Sequence, residues 1–176
     1  MNLVFKRLLA SVIYLLTILL STSPALHAAD ELTQDELVAM VIGCERLEHD
    51  YAIYRDRGDA EAFANIFTED GEWARSNGRI IKGRPAIIEY VNSLDHSEPE
   101  AHMQLTGTVQ IKPVDATTAN GVSYAIVLEA PITETGLPAT NNSFQVGSES
   151  RSVYKLTDDG WKIAKREYTT LFVDPE

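Results

Sequence analysis

The first apolar pattern beyond residue 30 has the spacing of one helix face. Its members are three or four residues apart, at Leu37, Met40, Val41, Cys44, Leu47, Tyr51 and Tyr54. Thr33 and Glu36 precede it with the spacing of a capping box, in which each side chain accepts a hydrogen bond from the other residue's backbone N–H. Gly58 follows it and tolerates the positive φ of a helix end. The pattern predicts one long amphipathic helix from Thr33 to Gly58.

Three shorter elements are predicted next. Asp59 can cap a second, short helix, which carries Phe63, Ile66 and Phe67 on one side. The segments Glu72–Arg75 and Arg79–Lys82 flank Asn77-Gly78, a pair typical of hairpin turns. Pro85 suits the first turn of a third helix, whose buried side is Ile87, Ile88, Val91 and Leu94.

From His102 onward the apolar period changes to two, which is typical of strands. The first strand alternates polar residues with Met103, Leu105, Val109 and Ile111, and three more strands are predicted at Val122–Ala130, Phe144–Leu156 and Trp161–Phe172. The non-periodic connection Pro131–Ser143 is long enough to form a lip over a binding site. The element order predicts an α+β fold in which a curved antiparallel or mixed sheet wraps around the long helix.

The N-terminus has the order of a secretory signal peptide. Lys6 and Arg7 precede the apolar run Leu8–Leu20, and small and turn-forming residues follow at Ser21–Ala29. The alternative is a retained anchor, although the run is shorter than the ~20 residues that cross a bilayer as a helix. We expect a signal peptide at 1–29, one domain at 30–176, and delivery to the periplasm or the exterior.

Charge and cysteine content narrow the choice of partners. The formal charge of −11 becomes −13 when Lys6 and Arg7 leave with the signal peptide, because that segment holds no acidic residue. Such a surface makes nucleic acid and anionic lipid poor partners. Cys44 is the only cysteine and is expected to be a buried small hydrophobe. No zinc-ligand spacing or Gly-rich phosphate loop is present, so we predict no metal and no cofactor.

Several short segments resemble one known family. They are residues 56–63, 67–71, 83–87, His102-Met103 and 159–163, and they follow the family's order through nearly the whole mature chain. By these segments the chain resembles the SnoaL-like branch of the nuclear transport factor 2-like superfamily. The resemblance implies a cone-shaped α+β barrel with an apolar cavity, usually dimeric through the outer face of its sheet.

Within that superfamily the motifs are most similar to scytalone and bile-acid dehydratases. The resemblance implies catalytic roles for Tyr51, Asp56 and His102. A base, an acid and an oxygen-binding donor are what a dehydration needs. His102 would be the acid or base, Asp56 would orient it, and Tyr51 would donate to a substrate oxygen. On a straight helix Tyr51 and Asp56 point about 140° apart. They can face one site only if the helix unwinds toward Gly58 or the pocket curves around the helix end.

Four further residues are candidates for substrate binding. Arg166 is expected near the mouth on the last strand, where it would stabilise an anionic group, and Trp73, Tyr124 and Glu129 could line the cavity. Glu129 lies near the position where the dehydratases carry a second His, so the chain departs from their pattern there.

Each candidate also has a structural interpretation. His102 could simply begin a strand, Asp56 could belong to the helix-stop turn, and Tyr51, Trp73 and Tyr124 could be core residues. From the resemblance and the candidate residues, the function predicted is a cofactor-independent dehydratase or isomerase for a small apolar or polycyclic substrate. The alternatives are a non-catalytic binding protein and a structural dimer module of the same fold.

Overall fold

The computed structural model describes residues 32–94, 100–140 and 145–174. The predicted signal peptide, residues 1–29, lies outside the described residues. The elements are α1 (Gln34–Asp56), α2 (Ala60–Asn65), β1 (Phe67–Ala74), β2 (Ile80–Lys82), α3 (Arg84–Asn92), β3 (Glu100–Asp115), β4 (Thr118–Pro131), β5 (Val146–Thr157) and β6 (Gly160–Val173). Within the described ranges no helix combines the length and the apolar character needed to span a membrane.

Helix α1 begins and ends where its sequence signals predict. The capping box is formed, with the Thr33 hydroxyl accepting from the Glu36 N–H and a Glu36 carboxylate oxygen accepting from the Thr33 N–H at 2.8 Å. Gly58, just beyond the helix, has φ +63°. The prediction for Cys44 is confirmed, since its side chain is fully buried, and burial raises the pKa of the thiol to about 12.

The six strands form one curved, open sheet in the order β2-β1-β6-β5-β4-β3. Every neighbouring pair is antiparallel except β1 and β6, which run parallel. The predicted α+β class with a mixed sheet around the N-terminal helix is confirmed. Strand β1 begins at Phe67, which the sequence pattern assigned to the second helix; the structure corrects this, because the Phe67 backbone pairs with Ile163 of β6.

A β-bulge in β3 changes which side chains face the helix. The predicted apolar face is wrong for Met103 and Leu105, which are 47% and 52% exposed on the outer face. The pairing register with β4 shifts between Gly107 and Val109, and the extra residue, Thr108, has φ +33°. Because a bulge exchanges the two faces of a strand, His102 and Gln104 point inward before it, whereas Val109 and Ile111 do so after it.

One ion pair is fully buried among the residues that the structure describes. Glu48 lies on the apolar stripe of α1 between Cys44 and Tyr51, and it is fully buried against Arg166 of β6, which is 1% exposed. The Glu48 carboxylate also accepts from the Tyr154 and Ser123 hydroxyls. Burial by itself raises the pKa of Glu48, but the Arg166 charge and these hydrogen bonds outweigh it and leave the pKa below its usual value. Glu48 therefore stays ionised in the core.

We expect Arg166→Met to destabilise the fold by about 3–5 kcal/mol, because it leaves the Glu48 charge buried without its partner. The double variant Glu48→Leu with Arg166→Met should recover most of this loss. Urea unfolding followed by circular dichroism measures both. Lys82→Gln is the matched control, since Lys82 forms an exposed pair with Glu72 and its removal should change the midpoint little. Equal effects of Arg166→Met and Lys82→Gln would contradict the role of the buried pair.

Candidate active site

The last two turns of α1 present functional side chains to two different hollows. Tyr51 and Arg55 are one helical turn apart and line an inner cavity of about 160 Å³. Asp56 is rotated by one residue, about 100°, and lines a separate outer groove. The predicted divergence of Tyr51 and Asp56 is therefore present, and a third residue, His102, connects the two hollows.

Asp56 ties the end of α1 to the start of β3. Its Oδ1 lies 2.8 Å from Nδ1 of His102, and its Oδ2 accepts a hydrogen bond from the Gln104 backbone N–H at 2.9 Å. Strand β3 is an edge of the sheet, so its N–H groups that point away from β4 have no strand partner, and Asp56 accepts from one of them. With both oxygens engaged, the Asp56 carboxylate holds the imidazole in one orientation.

Glu129 closes the other side of the same ring. It is the cross-strand partner of His102 in the β3–β4 register, and its Oε1 lies 3.1 Å from Nε2. The three side chains form an array, Asp56–His102–Glu129, that is half-buried. A neutral imidazole carries one N–H, and two acceptors do not form a hydrogen bond without a proton between them. An imidazole protonated at both nitrogens would therefore donate to both carboxylates.

The array stands where the two hollows meet. His102 and Glu129 line both the inner cavity and the outer groove, whose volume is about 600 Å³. The inner cavity is polar; the outer groove is walled mainly by apolar residues, Met103, Leu128, Ile132, Leu137, Pro138 and Ala139. The last four belong to the connection Pro131–Ser143 that the sequence predicts as a lip, and residues 141–143 of that connection lie outside the described residues. A molecule in the groove would meet the imidazole and the Glu129 carboxylate.

Three predicted substrate-binding residues lie elsewhere. Arg166 is not at a cavity mouth, because its guanidinium is buried against Glu48 and beneath the Tyr51 ring, 4.1 Å from the ring centroid. Trp73 is fully buried in an aromatic cluster with Tyr51, Phe63, Phe67 and Tyr90. Tyr124 is 45% exposed on the outer face of the sheet, because its neighbour Ser123 takes the inward position on β4. None of these three side chains lines the inner cavity or the outer groove.

The inner cavity also has lining residues that the sequence did not identify. Arg55, Arg75 and Tyr168 lie there, together with Gln104, Val127, Val146, Ser148 and Ser150. Arg55 follows Tyr51 by four residues, a spacing that could have identified it. Arg75 and Tyr168 are brought in by the β1–β6 pairing, in which Trp73 pairs with Arg166, and no local pattern predicts that contact.

The site has the donor set of acid–base chemistry. Asp56, His102 and Glu129 use their polar atoms on one another and on Gln104. Across the described ranges, no group of three or more His, Cys, Asp or Glu side chains has an arrangement that could hold a metal ion. What the three side chains can do is accept, hold and deliver protons.

Comparison with known proteins places this geometry in a family. The model of the SnoaL-like domain family matches residues 43–167. No curated protein sequence matches the chain significantly. Among solved structures, an NTF2-like protein with a cystatin-like fold from Novosphingobium aromaticivorans is 26% identical, with a TM-score of 0.63 over 81% of this chain and 91% of that one.

Two further solved structures share the fold at lower identity. A candidate scytalone dehydratase from Novosphingobium aromaticivorans is 19% identical, with a TM-score of 0.68 over 82% of this chain and 92% of the other. A hexachlorocyclohexane dehydrochlorinase from Novosphingobium barchaimii is 19% identical, with a TM-score of 0.67 over 82% and 94% of the two chains. The family match spans most of the chain, and the six-stranded mixed sheet around an N-terminal helix agrees with it. The chain therefore belongs to the SnoaL-like domain family, within the nuclear transport factor 2-like superfamily.

Proposed function

We propose that the protein is a cofactor-independent lyase of the dehydratase type, or an isomerase, that acts on a small apolar molecule. The observation that carries this is the imidazole of His102, held by Asp56 at one nitrogen and by Glu129 at the other, between a polar cavity and an apolar groove. Both reactions begin when a proton is removed from carbon, which requires a positioned base. The dehydratase and dehydrochlorinase names of two structures with this fold support the choice of an elimination.

In the proposed mechanism the array carries one proton more than a neutral imidazole between two carboxylates, and this proton accounts for both halves of a dehydration. One member of the His102–Glu129 pair accepts the proton from carbon, and the C–H electron pair becomes the new C=C bond. The proton already shared by the pair goes to the departing hydroxyl as the C–O bond breaks, and water leaves. One proton enters and one departs, so the array regains its starting protonation state in each turnover.

Asp56 acts through His102 in this scheme. Its Oδ1 contact with Nδ1 keeps a proton on that nitrogen and leaves Nε2 as the nitrogen that exchanges the proton. Tyr51 lines the inner cavity, and we assign it the role of donor to a substrate oxygen. Its ring is fixed by Arg166 on one face and by Phe63, whose ring centroid is 4.9 Å away.

One observation favours a second candidate function, a binding protein without turnover. Glu129 occupies Nε2, the nitrogen that a catalytic imidazole would present to its substrate. A ligand that leaves this contact intact would be held in the groove and released unchanged. Catalysis requires that Glu129 either shares in the proton transfer or moves aside when substrate binds.

We expect His102→Ala to lower turnover by about 10²–10⁴-fold, the usual contribution of a general acid–base, while the fold is retained. Asp56→Asn should lower turnover as well, because a neutral amide stabilises the proton on Nδ1 less than a carboxylate does. The substrate is found by incubating the purified domain with a metabolite extract and searching by mass spectrometry for compounds whose products are lighter by one water or have the same mass.

His49→Ala is the matched control, because His49 is exposed on α1 outside both hollows. It should leave turnover unchanged. If His102→Ala converts the same compounds at the rate of the wild type, the catalytic assignment is wrong. If a metabolite is recovered unchanged from both proteins, the binding function is favoured.

We propose that the chain forms a homodimer through the outer face of the sheet, as its family resemblance implies. Large apolar side chains are exposed there, among them Met103, Leu105, Tyr124, Ile126 and Phe172. We expect Ile126→Lys to convert dimer to monomer in light scattering coupled to gel filtration. Leu156→Lys is the control, since Leu156 is similarly exposed but lies at the far end of β5. A wild-type monomer would contradict the dimer.

We propose that the protein is exported after cleavage near Ala29, on the basis of the N-terminal sequence pattern. Mass spectrometry of the protein from fractionated bacterial cells should then find an N-terminus close to Asp30, outside the cytoplasm. Leu16→Arg interrupts the apolar run and should keep the full chain inside. Recovery of wild-type chains that retain Met1–Ala29 would contradict cleavage.

A further inference from the structure

The inner cavity holds two guanidinium groups in an otherwise acidic protein. Arg55 of α1 and Arg75, which follows β1, are both half-buried and both line the cavity together with His102 and Glu129. The chain as a whole has a formal charge of −11. Two cations directed at one small hollow are therefore a local reversal of the overall charge.

Neither guanidinium is neutralised by a carboxylate within the described part of the chain. Three other arginines there have acidic partners: Arg46 pairs with Asp50, Arg151 with Glu149, and Arg166 with Glu48. The half-buried Arg84 instead donates to the Phe67 carbonyl oxygen. No such ion pair is formed by Arg55 or Arg75 among the described residues. Because a half-buried cation loses part of its hydration, it is stabilised by an anionic partner, and a ligand in the cavity could supply one.

Arg75 is held in place by aromatic rings. Its guanidinium carbon lies 4.6 Å from the ring centroid of Trp73, 5.4 Å from that of Tyr90 and 5.1 Å from that of Tyr168. Cation–π contacts of this kind fix the plane of the group. They leave its N–H donors available, so the group is preorganised for the two parallel hydrogen bonds that a carboxylate accepts.

The size and the second charge of the cavity limit the anion. About 160 Å³ is available, and the Glu129 carboxylate lines the same space. A dianion would be repelled by Glu129 and by the net charge of the chain, whereas a planar monoanion matches the Arg fork. The hydroxyl-bearing residues Ser148, Ser150 and Tyr168 also line the cavity.

We propose that the inner cavity is a carboxylate-binding subsite and that the substrate is an organic monocarboxylic acid with an apolar body. The carboxylate lies against Arg75 and Arg55, and the apolar body extends past His102 into the outer groove. The assignment of this acid as the substrate of a reaction at His102 rests on the proposed function. The binding of the acid in the inner cavity does not. Arg75 and Arg55 would thus bind the anionic group that the sequence analysis assigned to Arg166.

Calorimetric titration with phenylacetate and with its neutral isostere phenylacetamide tests the subsite. The wild-type domain should bind phenylacetate at least about tenfold more tightly than the amide, because charge-assisted hydrogen bonds are lost with the amide. Arg75→Gln should weaken phenylacetate binding by roughly ten- to hundredfold. It should leave binding of the amide nearly unchanged.

Matched controls exist for both arginines. Arg79 also lies over the Tyr90 ring, at 5.0 Å, but is exposed and outside the cavity, so Arg79→Gln should have no effect. Arg57 is exposed, so Arg57→Gln is the matched control for Arg55→Gln. His102→Ala should still prefer phenylacetate to the amide even where turnover is lost, which separates this proposal from the catalytic one.

Two results would overturn the subsite. One is equal affinity for phenylacetate and phenylacetamide, or no binding of phenylacetate at millimolar concentration. The other is a loss of phenylacetate affinity in Arg79→Gln as large as in Arg75→Gln. The loss would then come from the change in the net charge of the protein and not from a contact in the cavity.

Discussion

The Asp56 carboxylate is the contact on which the site depends. It lies at the last residue of α1, and its two oxygens bind the His102 ring and the Gln104 backbone N–H. This joins the end of a helix to the free edge of a sheet, between residues that are 46 positions apart in the chain. Without it, the imidazole would be held only by its cross-strand neighbour, Glu129.

The bulge in β3 makes that contact possible. It allows His102 and Gln104 to face α1 while Val109 and Ile111, further along the same strand, also face inward. A simple alternation of apolar and polar residues cannot show this, because it assumes one face along the whole strand. For that reason the sequence placed Met103 and Leu105 in the core, although it located β3 and the capped helix correctly.

Contacts between distant segments limited what the sequence could predict at the site. Asp56, His102 and Tyr51 were identified through their motif positions, and the structure brings the first two together at 2.8 Å. Arg166 looked like a free cation on the last strand, but its partner, Glu48, is hidden in the apolar stripe of α1. Arg75 enters the cavity through a parallel pairing of β1 with β6, which joins the two ends of the domain and has no local signature.

The contacts of the two His102 ring nitrogens with Asp56 and Glu129 hold the site together, and NMR of the domain labelled with ¹⁵N at histidine tests them. The His102 signals are those that disappear in His102→Ala. We predict that Asp56→Asn shifts chiefly the Nδ1 signal and that Glu129→Gln shifts chiefly the Nε2 signal, because each carboxylate meets one nitrogen. An imidazole whose two signals respond to neither substitution, and exchange freely with solvent, would contradict it.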